Sequence, residues 1–355
     1  MKNLLLIFML LLTFLSCKKD KEVITTPIDQ FGTYNPNYIL PRVLTYLPPM
    51  ENPDFNKMTE EGVRLGKSLY YDNILSTNGL SCSSCHLRAQ SFTISAMGPV
   101  GTAVLPHINV GWQKAFGWNG GEEHLDNVAL ADLAEGNPFL EANNDSILNR
   151  FKRNKNYQIL FWKAFGVKIT ELSTPERQKY ISYSLAQFIR TIISGDSKFD
   201  KFVRGETALT PSEMNGYNIF MDDNRGDCYH CHGSAGNPLW TDRDYHNNAL
   251  NSSFSGVDQG RYLVTGDPAD MGKFRSPTLR NIALTAPYMH DNRFATLEDV
   301  IDFYSSGLQQ SATVDPLMNH IAQGGAQLSA SDKADLIAFL HTLTDSTFIN
   351  NTAFY

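Results

Sequence analysis

Residues 226–233 read GDCYHCHG, and residues 81–87 read SCSSCHL. Each stretch places two cysteines three residues apart, with a histidine directly after the second. The 355-residue chain holds five cysteines, so these two motifs use every one except Cys17. Two thiols on one helical turn can each add to a vinyl group of a porphyrin, which carries the next residue, histidine, under the ring to bond its iron. The spacing therefore assigns Cys82, Cys85 and His86 to one covalently attached c-type haem, and Cys228, Cys231 and His232 to a second. Rival chemistries fit less well. A disulfide needs no histidine after each pair. A zinc site would draw on pairs far apart in the chain, and a thioredoxin-like pair would want a βαβ setting that is absent here. His230, in a variable position of the second motif, reads as a solvent-side residue and not a ligand.

Outward from the motifs, each one follows a similar amphipathic helix. In RLGKSLYYDN (64–73) and MNGYNIFMDD (214–223), Gly66 aligns with Gly216, Leu69 with Ile219 and Tyr70 with Phe220. The second helix opens Thr210-Pro211-Ser212-Glu213: an N-cap threonine, a proline at the first helical position and a capping-box glutamate. A cytochrome c unit crosses such a helix with its terminal helix, and a glycine lets the backbones come close. SASDKADLIAFLHTLT (329–344) supplies that partner, with Leu336, Ile337, Leu340 and Leu343 on one face. Between the units, residues 174–202 carry Ile181, Leu185, Phe188, Ile189 and Ile192 at the spacing of a long buried helix. The expected fold is mostly α: two cytochrome c-like domains, each with one covalently attached c-type haem, sharing an interface.

The chain opens MKNLLLIFMLLLTFLSCKKDKE. The apolar run from Leu4 to Leu15 is too short to span a bilayer comfortably, and it ends in Ser16-Cys17. This resembles a bacterial lipoprotein signal, cleaved before Cys17, with lipid attached to its sulfur. The mature chain is then exported, periplasmic and anchored to a membrane. The expected division is a signal peptide at 1–16, a tether at 17–47, an N-terminal haem domain at 48–205 and a C-terminal haem domain at 206–355. A formal net charge of −7 and no basic stripe argue against nucleic-acid binding.

Two further segments carry a resemblance. GKFRSPTLRNIALTAPYMHDNRFATLEDVIDFYSSG (272–307) and FGWNGGEEHLDNVAL (116–130) resemble hallmark segments of the di-haem cytochrome c peroxidase family, which includes the maturase MauG. The likeness runs over roughly residues 50–345. It implies a cytochrome-c peroxidase-type oxidoreductase, in which the N-terminal haem is peroxidatic and the C-terminal haem transfers electrons. The substrate would be hydrogen peroxide and the donor a small cytochrome c or copper protein; family members are often homodimers. Carried over by residue, His86 and His232 are the proximal ligands, and Trp118 is the aromatic between the haems. Arg280 would bond haem propionates, which a guanidinium can do bidentately. Tyr304 resembles the MauG ligand on the far side of the second haem, where other peroxidases of the family carry methionine; Met289 and Met271 are the alternatives. A phenolate favours ferric iron and a methionine raises the potential.

This chain also departs from the family. Many members hold a second histidine in the loop after the first haem, yet near Ser95 none occurs. His107 follows at a position the family uses for packing, so an iron open without prior reduction is expected. The catalytic glutamate of the family lies in a segment like Asn-Pro-x-Glu-Met. Here GNPFLEANN keeps Asn137-Pro138 but brings Glu141 one residue late, which makes Glu141 the catalytic candidate and Glu135 its substitute. The family's glutamine is replaced by Val128 or a neighbour. An interdomain calcium would rest on carbonyls in Thr285-Ala286-Pro287, with Ala103 or Val104 where the family has asparagine; carbonyls and waters suit so hard a cation. Two other readings stay open: a MauG-like oxidase acting on a protein or organic substrate, and a non-enzymatic di-haem electron-transfer cytochrome.

Overall fold

The computed structural model describes residues 31–354 apart from 42, 43 and 45. The apolar leader, Cys17 and the start of the tether lie outside the described residues. The chain is mostly helical, and its one sheet among the described residues is an antiparallel pair, Tyr245–His246 against Phe274–Arg275. No described helix is long and apolar enough to cross a membrane.

Two helix crossings organise the molecule, and they are built alike. In the first unit, the Glu60–Tyr71 helix is capped by Thr59, whose Oγ1 accepts the Gly62 N–H at 2.9 Å. It crosses the Thr174–Ile189 helix at Gly66, where an added Cβ would collide with the Ser184 carbonyl and press on Phe188. In the second unit, the Pro211–Phe220 helix begins with the expected capping box between Thr210 and Glu213. It crosses the Ala330–Thr342 helix at Gly216, where a Cβ would collide with the Asp335 carbonyl and press on Phe339. The Thr174–Ile189 helix is thus to the first unit what the terminal helix is to the second. Sequence alone marks it only as long and buried.

Each crossing seeds its own core. Leu65, Leu69 and Tyr70 pack with Ile181, Leu185 and Phe188 in the first unit. Ile219 and Phe220 pack with Trp240, Leu336, Phe339 and Leu340 in the second. A smaller cluster of Leu47, Met50, Trp112 and Leu239 joins the N-terminal strap to both units. One boundary differs from the expected division at 206. Beyond residue 344 the chain returns to the first unit, where Phe348 and Phe354 enter its core and Lys67 Nζ donates to the Ala353 carbonyl at 2.7 Å. Phe348 and Phe354 are thereby buried in the first core and not against the terminal helix that precedes them.

Candidate haem sites and the segment between them

Both Cys-x-x-Cys-His motifs form single helical turns, Cys82–Cys85 and Tyr229–His232. Their four cysteines are unpaired, and burial pushes the Cys82 and Cys228 thiols up to about 12. The two histidines are held in the same way. His86 donates from Nδ1 to the Phe92 carbonyl at 2.9 Å, and His232 donates from Nδ1 to the Pro277 carbonyl at 3.2 Å. A carbonyl can only accept, so the proton sits on Nδ1 and the lone pair on Nε2 in both rings. Burial lowers both histidines to about 4, which keeps them neutral. Neutral imidazoles oriented by a hydrogen bond from the other ring nitrogen to a carbonyl are what a metal takes as ligands.

A cavity beside the second motif is lined by Cys228, Cys231 and His232. Leu297, Val300, Ile301 and Tyr304, the apolar face predicted for the Leu297–Ser306 helix, form another part of its wall, as do Leu336 and Leu340 of the terminal helix. Arg275 also faces it. That guanidinium is buried, its Nε has no hydrogen-bond partner, and burial lowers its pKa to about 10. A buried cation without a carboxylate is costly. Two thiols, a neutral imidazole and an unsatisfied guanidinium along one apolar cavity fit a porphyrin with its propionates.

Arg280, expected at those propionates, is placed elsewhere. It is fully buried, its Nη1 and Nη2 each lie 2.8 Å from an Asp200 oxygen, and its Nε donates to the Pro238 carbonyl at 2.6 Å. Asp200 is the buried capping residue of the Lys198–Val203 helix and needs a countercharge there. The arginine pair in KFRSPTLRN is thus divided: Arg275 faces the cavity and Arg280 holds the core.

Tyr304 and Met289 both line the second cavity, whereas Met271 does not. Tyr304 Oη accepts from Asn248 Nδ2 at 2.9 Å, and burial raises its pKa. His246 lines the same cavity between Asp242 and Asp315, at 2.7 Å from each. Burial would lower its pKa, but the hydrogen bonds it makes to Asp242, Cys231 and Asp315 raise it to about 11.

At the first motif, His107 does not stand across from His86. Its ring stacks on the His86 ring with centroids 3.5 Å apart and planes 15° apart, and its Nδ1 lies 3.1 Å from Tyr70 Oη. Two rings stacked face to face cannot bind one iron from opposite sides. In this arrangement His107 packs against His86 and Tyr70. Glu141 is exposed, with φ at +46°. Its segment is tied to the loop just before the first motif. Thr77 donates from its backbone to the Leu140 carbonyl at 3.1 Å and from Oγ1 to the Glu141 carbonyl at 2.6 Å. Glu135, also exposed, accepts from Asn143 and Asn144.

A second carboxylate escaped the sequence reading. Asp132 ends the Leu125–Asp132 helix one turn after Val128, and its charge bears on both the Cys82 and Cys85 thiols. Burial raises it to about 6. An aspartate at the end of a helix carries no signal of its own; only the fold brings it to the motif.

One segment joins the sites. The backbones of Phe92 and Leu105 hydrogen-bond His86, and Leu105, Thr93, Ala103 and Val104 also line the second cavity. Trp118 lies on this bridge. Its Nε1 donates to the Ala103 carbonyl at 2.8 Å, and its own carbonyl accepts from Arg275 N at 2.8 Å. Its ring meets Phe274 and His290 edge-on, both with centroids at 6.5 Å. Around the expected calcium position, Ser95 Oγ donates to the Ala286 carbonyl at 2.8 Å, while Ala103 and Val104 bring no side-chain oxygen.

The fold is mostly helical, with two Cys-x-x-Cys-His turns joined by one segment that carries Trp118. Residues 60–208 match the di-haem cytochrome c peroxidase family. The chain is 30% identical over 317 residues to the methylamine utilization protein MauG of Methylophilus methylotrophus, covering 84% of this chain and 89% of that one. It is 31% identical over 294 residues to cytochrome c551 peroxidase of Nitrosomonas europaea, covering 79% of each. Among solved structures, it resembles a MauG-like protein associated with microbial copper homeostasis, at 35% identity and a TM-score of 0.78, over 88% of this chain and 97% of that one. The chain belongs to the di-haem cytochrome c peroxidase and MauG family, and haem is the cofactor that family carries.

Proposed function

We propose that this chain is a peroxidase with one haem in each unit, which reduces hydrogen peroxide at the haem on Cys82, Cys85 and His86. Trp118, on the segment between the two motifs, would carry electrons between the groups they hold, and a small cytochrome c or copper protein would supply those electrons. The observation that carries this reading is His107 stacked beside His86 and not across from it, as suits an iron that peroxide could reach. Each bound haem supplies a redox-active iron; the chain supplies orientation, burial and proton traffic. His86 and His232 present a fixed Nε2 lone pair because their Nδ1 protons are committed to carbonyls. Glu141 takes the proton from the near oxygen of peroxide and returns it to the departing one. Its segment is bonded to the loop that leads into the first motif, which supports that role, and Asp132 offers a second carboxylate at the same motif. Arg275 anchors the propionates of the second haem.

A second reading is a MauG-like oxidase that draws electrons from a protein or organic substrate. It is favoured by Tyr304 in the second cavity and by the likeness to the MauG-like copper-homeostasis protein. A pure electron carrier is the third. Calcium between the units would be held by backbone carbonyls and waters. The chain acts outside the cytoplasm, held to a membrane through lipid on Cys17, and forms a homodimer.

Steady-state assays of the haem-loaded protein with peroxide and a reduced small cytochrome c or blue copper protein test the choice. Peroxide-dependent oxidation of the donor is expected. Peroxide consumption with no donor oxidation, together with an altered residue in a co-purifying protein, would favour the oxidase. No consumption under any condition would leave the electron carrier.

A further inference from the structure

Among the side chains able to bind iron along the second cavity are Tyr304 and Met289, and one amide reaches both. Asn248 Nδ2 lies 2.9 Å from Tyr304 Oη and 3.7 Å from Met289 Sδ. An amide nitrogen carries two N–H groups, enough for one to each neighbour. All three side chains line the cavity.

The amide is held in place by its surroundings. Asn247, next to it and buried, donates to Ser311 Oγ at 3.1 Å and Thr313 Oγ1 at 2.9 Å, and its Oδ1 accepts from Ala249 N at 3.0 Å. The Ala249 carbonyl in turn accepts from Gln309 N at 2.8 Å. Tyr304 sits on a regular helix whose Leu297 and Ile301 are buried. Met289 is held from both sides: the Tyr288 N–H donates to the Phe294 carbonyl at 2.8 Å, and the His290 carbonyl accepts from Ala103 N at 2.7 Å. Its φ of +72° is one that a methionine adopts only when its neighbours impose it.

We propose that Asn248 is the positioning residue that assigns the axial place on the second haem to Tyr304 and holds the Met289 sulfur off it. This rests on the reading that Tyr304 is that ligand. The two ligands ask for different iron. A phenolate oxygen is hard and anionic and favours the ferric state, whereas a thioether is soft and raises the potential. An N–H bond to an anionic oxygen is charge-assisted and strong, but to a thioether sulfur it is weak. The same amide therefore favours the ionised oxygen that binds iron, fixes its direction and occupies the sulfur. Without it, Tyr304 loses its support at the moment Met289 becomes free.

The test uses the full-length, haem-loaded protein and reads the second haem by potentiometry and optical spectroscopy, for the parent and for Asn248→Leu, Tyr304→Phe and Asn248→Leu combined with Met289→Leu. If Asn248→Leu loads poorly, Asn248→Ala takes its place. Loss of Asn248 is expected to shift the ferric-to-ferrous equilibrium at least tenfold toward ferrous, about 59 mV for one electron. A sulfur-to-iron charge-transfer band should appear and then vanish in the double variant. If Tyr304→Phe changes the ferric spectrum and potential but loss of Asn248 changes neither, Tyr304 stands as ligand and the role given to Asn248 is wrong. If Tyr304→Phe changes nothing, the ligand reading itself falls, and the proposal with it.

Discussion

The two units use one scaffold for different ends. In each, a glycine lets two helices cross at backbone contact, a single turn presents two thiols, and a carbonyl fixes the histidine that follows. The differences lie in a few side chains around that common frame. Beside His86 stand a stacked imidazole, His107, and a carboxylate raised by burial, Asp132. Beside His232 stand a phenol, a thioether and an amide that touches both, with an unpaired guanidinium in the wall. On the function we propose, the first set serves proton transfer and the second holds the ligand and potential of its metal. Scaffold decides where a haem goes, and its immediate neighbours decide what it does.

The comparison can be broken most sharply at the motifs themselves. Replacing Cys82 and Cys85 by alanine should abolish peroxide turnover and leave one covalent haem, detected by mass spectrometry. The same change at Cys228 and Cys231 should stop donor oxidation while a reaction of the isolated first haem with peroxide persists. Next in size, Arg280→Leu leaves Asp200 buried without its partner, for which roughly 3–5 kcal/mol is expected in denaturant unfolding. Arg275→Leu, in the cavity wall, should cost far less stability and instead weaken haem retention in the second unit.

Proton transfer sharpens the comparison further. Glu141→Gln should slow the peroxide step by about a hundredfold or more. Unchanged turnover would pass the role to Asp132. Burial holds that carboxyl near 6, above its ordinary value, so as a base it would be active only once ionised. The peroxide step would then rise through pH 6, and Asp132→Asn would flatten the profile. The stability linkage has the opposite sign: its contribution is full below the ordinary carboxylate range and is lost as pH rises through about 6. The crossings test the shared scaffold itself. Gly66→Ala and Gly216→Ala each drive a Cβ into a backbone carbonyl, so each should cost about 3 kcal/mol or more through overpacking. Unequal losses would show which crossing is the more rigid.

How much of this was legible in the sequence follows from the range of each signal. The motifs are local, and so are the capping box at Thr210 and the glycine pair Gly66 and Gly216; the structure has all of them where the spacing put them. The face of the Leu297–Ser306 helix was equally plain, since four apolar positions at helical spacing leave one choice of inward side. What failed to show depends on contacts distant in the chain. Arg275 and Arg280 stand five residues apart in one string, and only the position of Asp200 decides which is free to face the cavity. The return of Phe348 and Phe354 to the first core could not be seen from the terminal helix. Asn248 gave no signal at all, being one amide in a polar loop.

The most direct test is an anaerobic optical titration of the fully oxidised protein with hydrogen peroxide. With no histidine opposite His86, we expect a prompt spectral change complete at about one equivalent. No change until the second haem has been reduced would mean that a ligand does close the first iron, contradicting the stacked placement of His107.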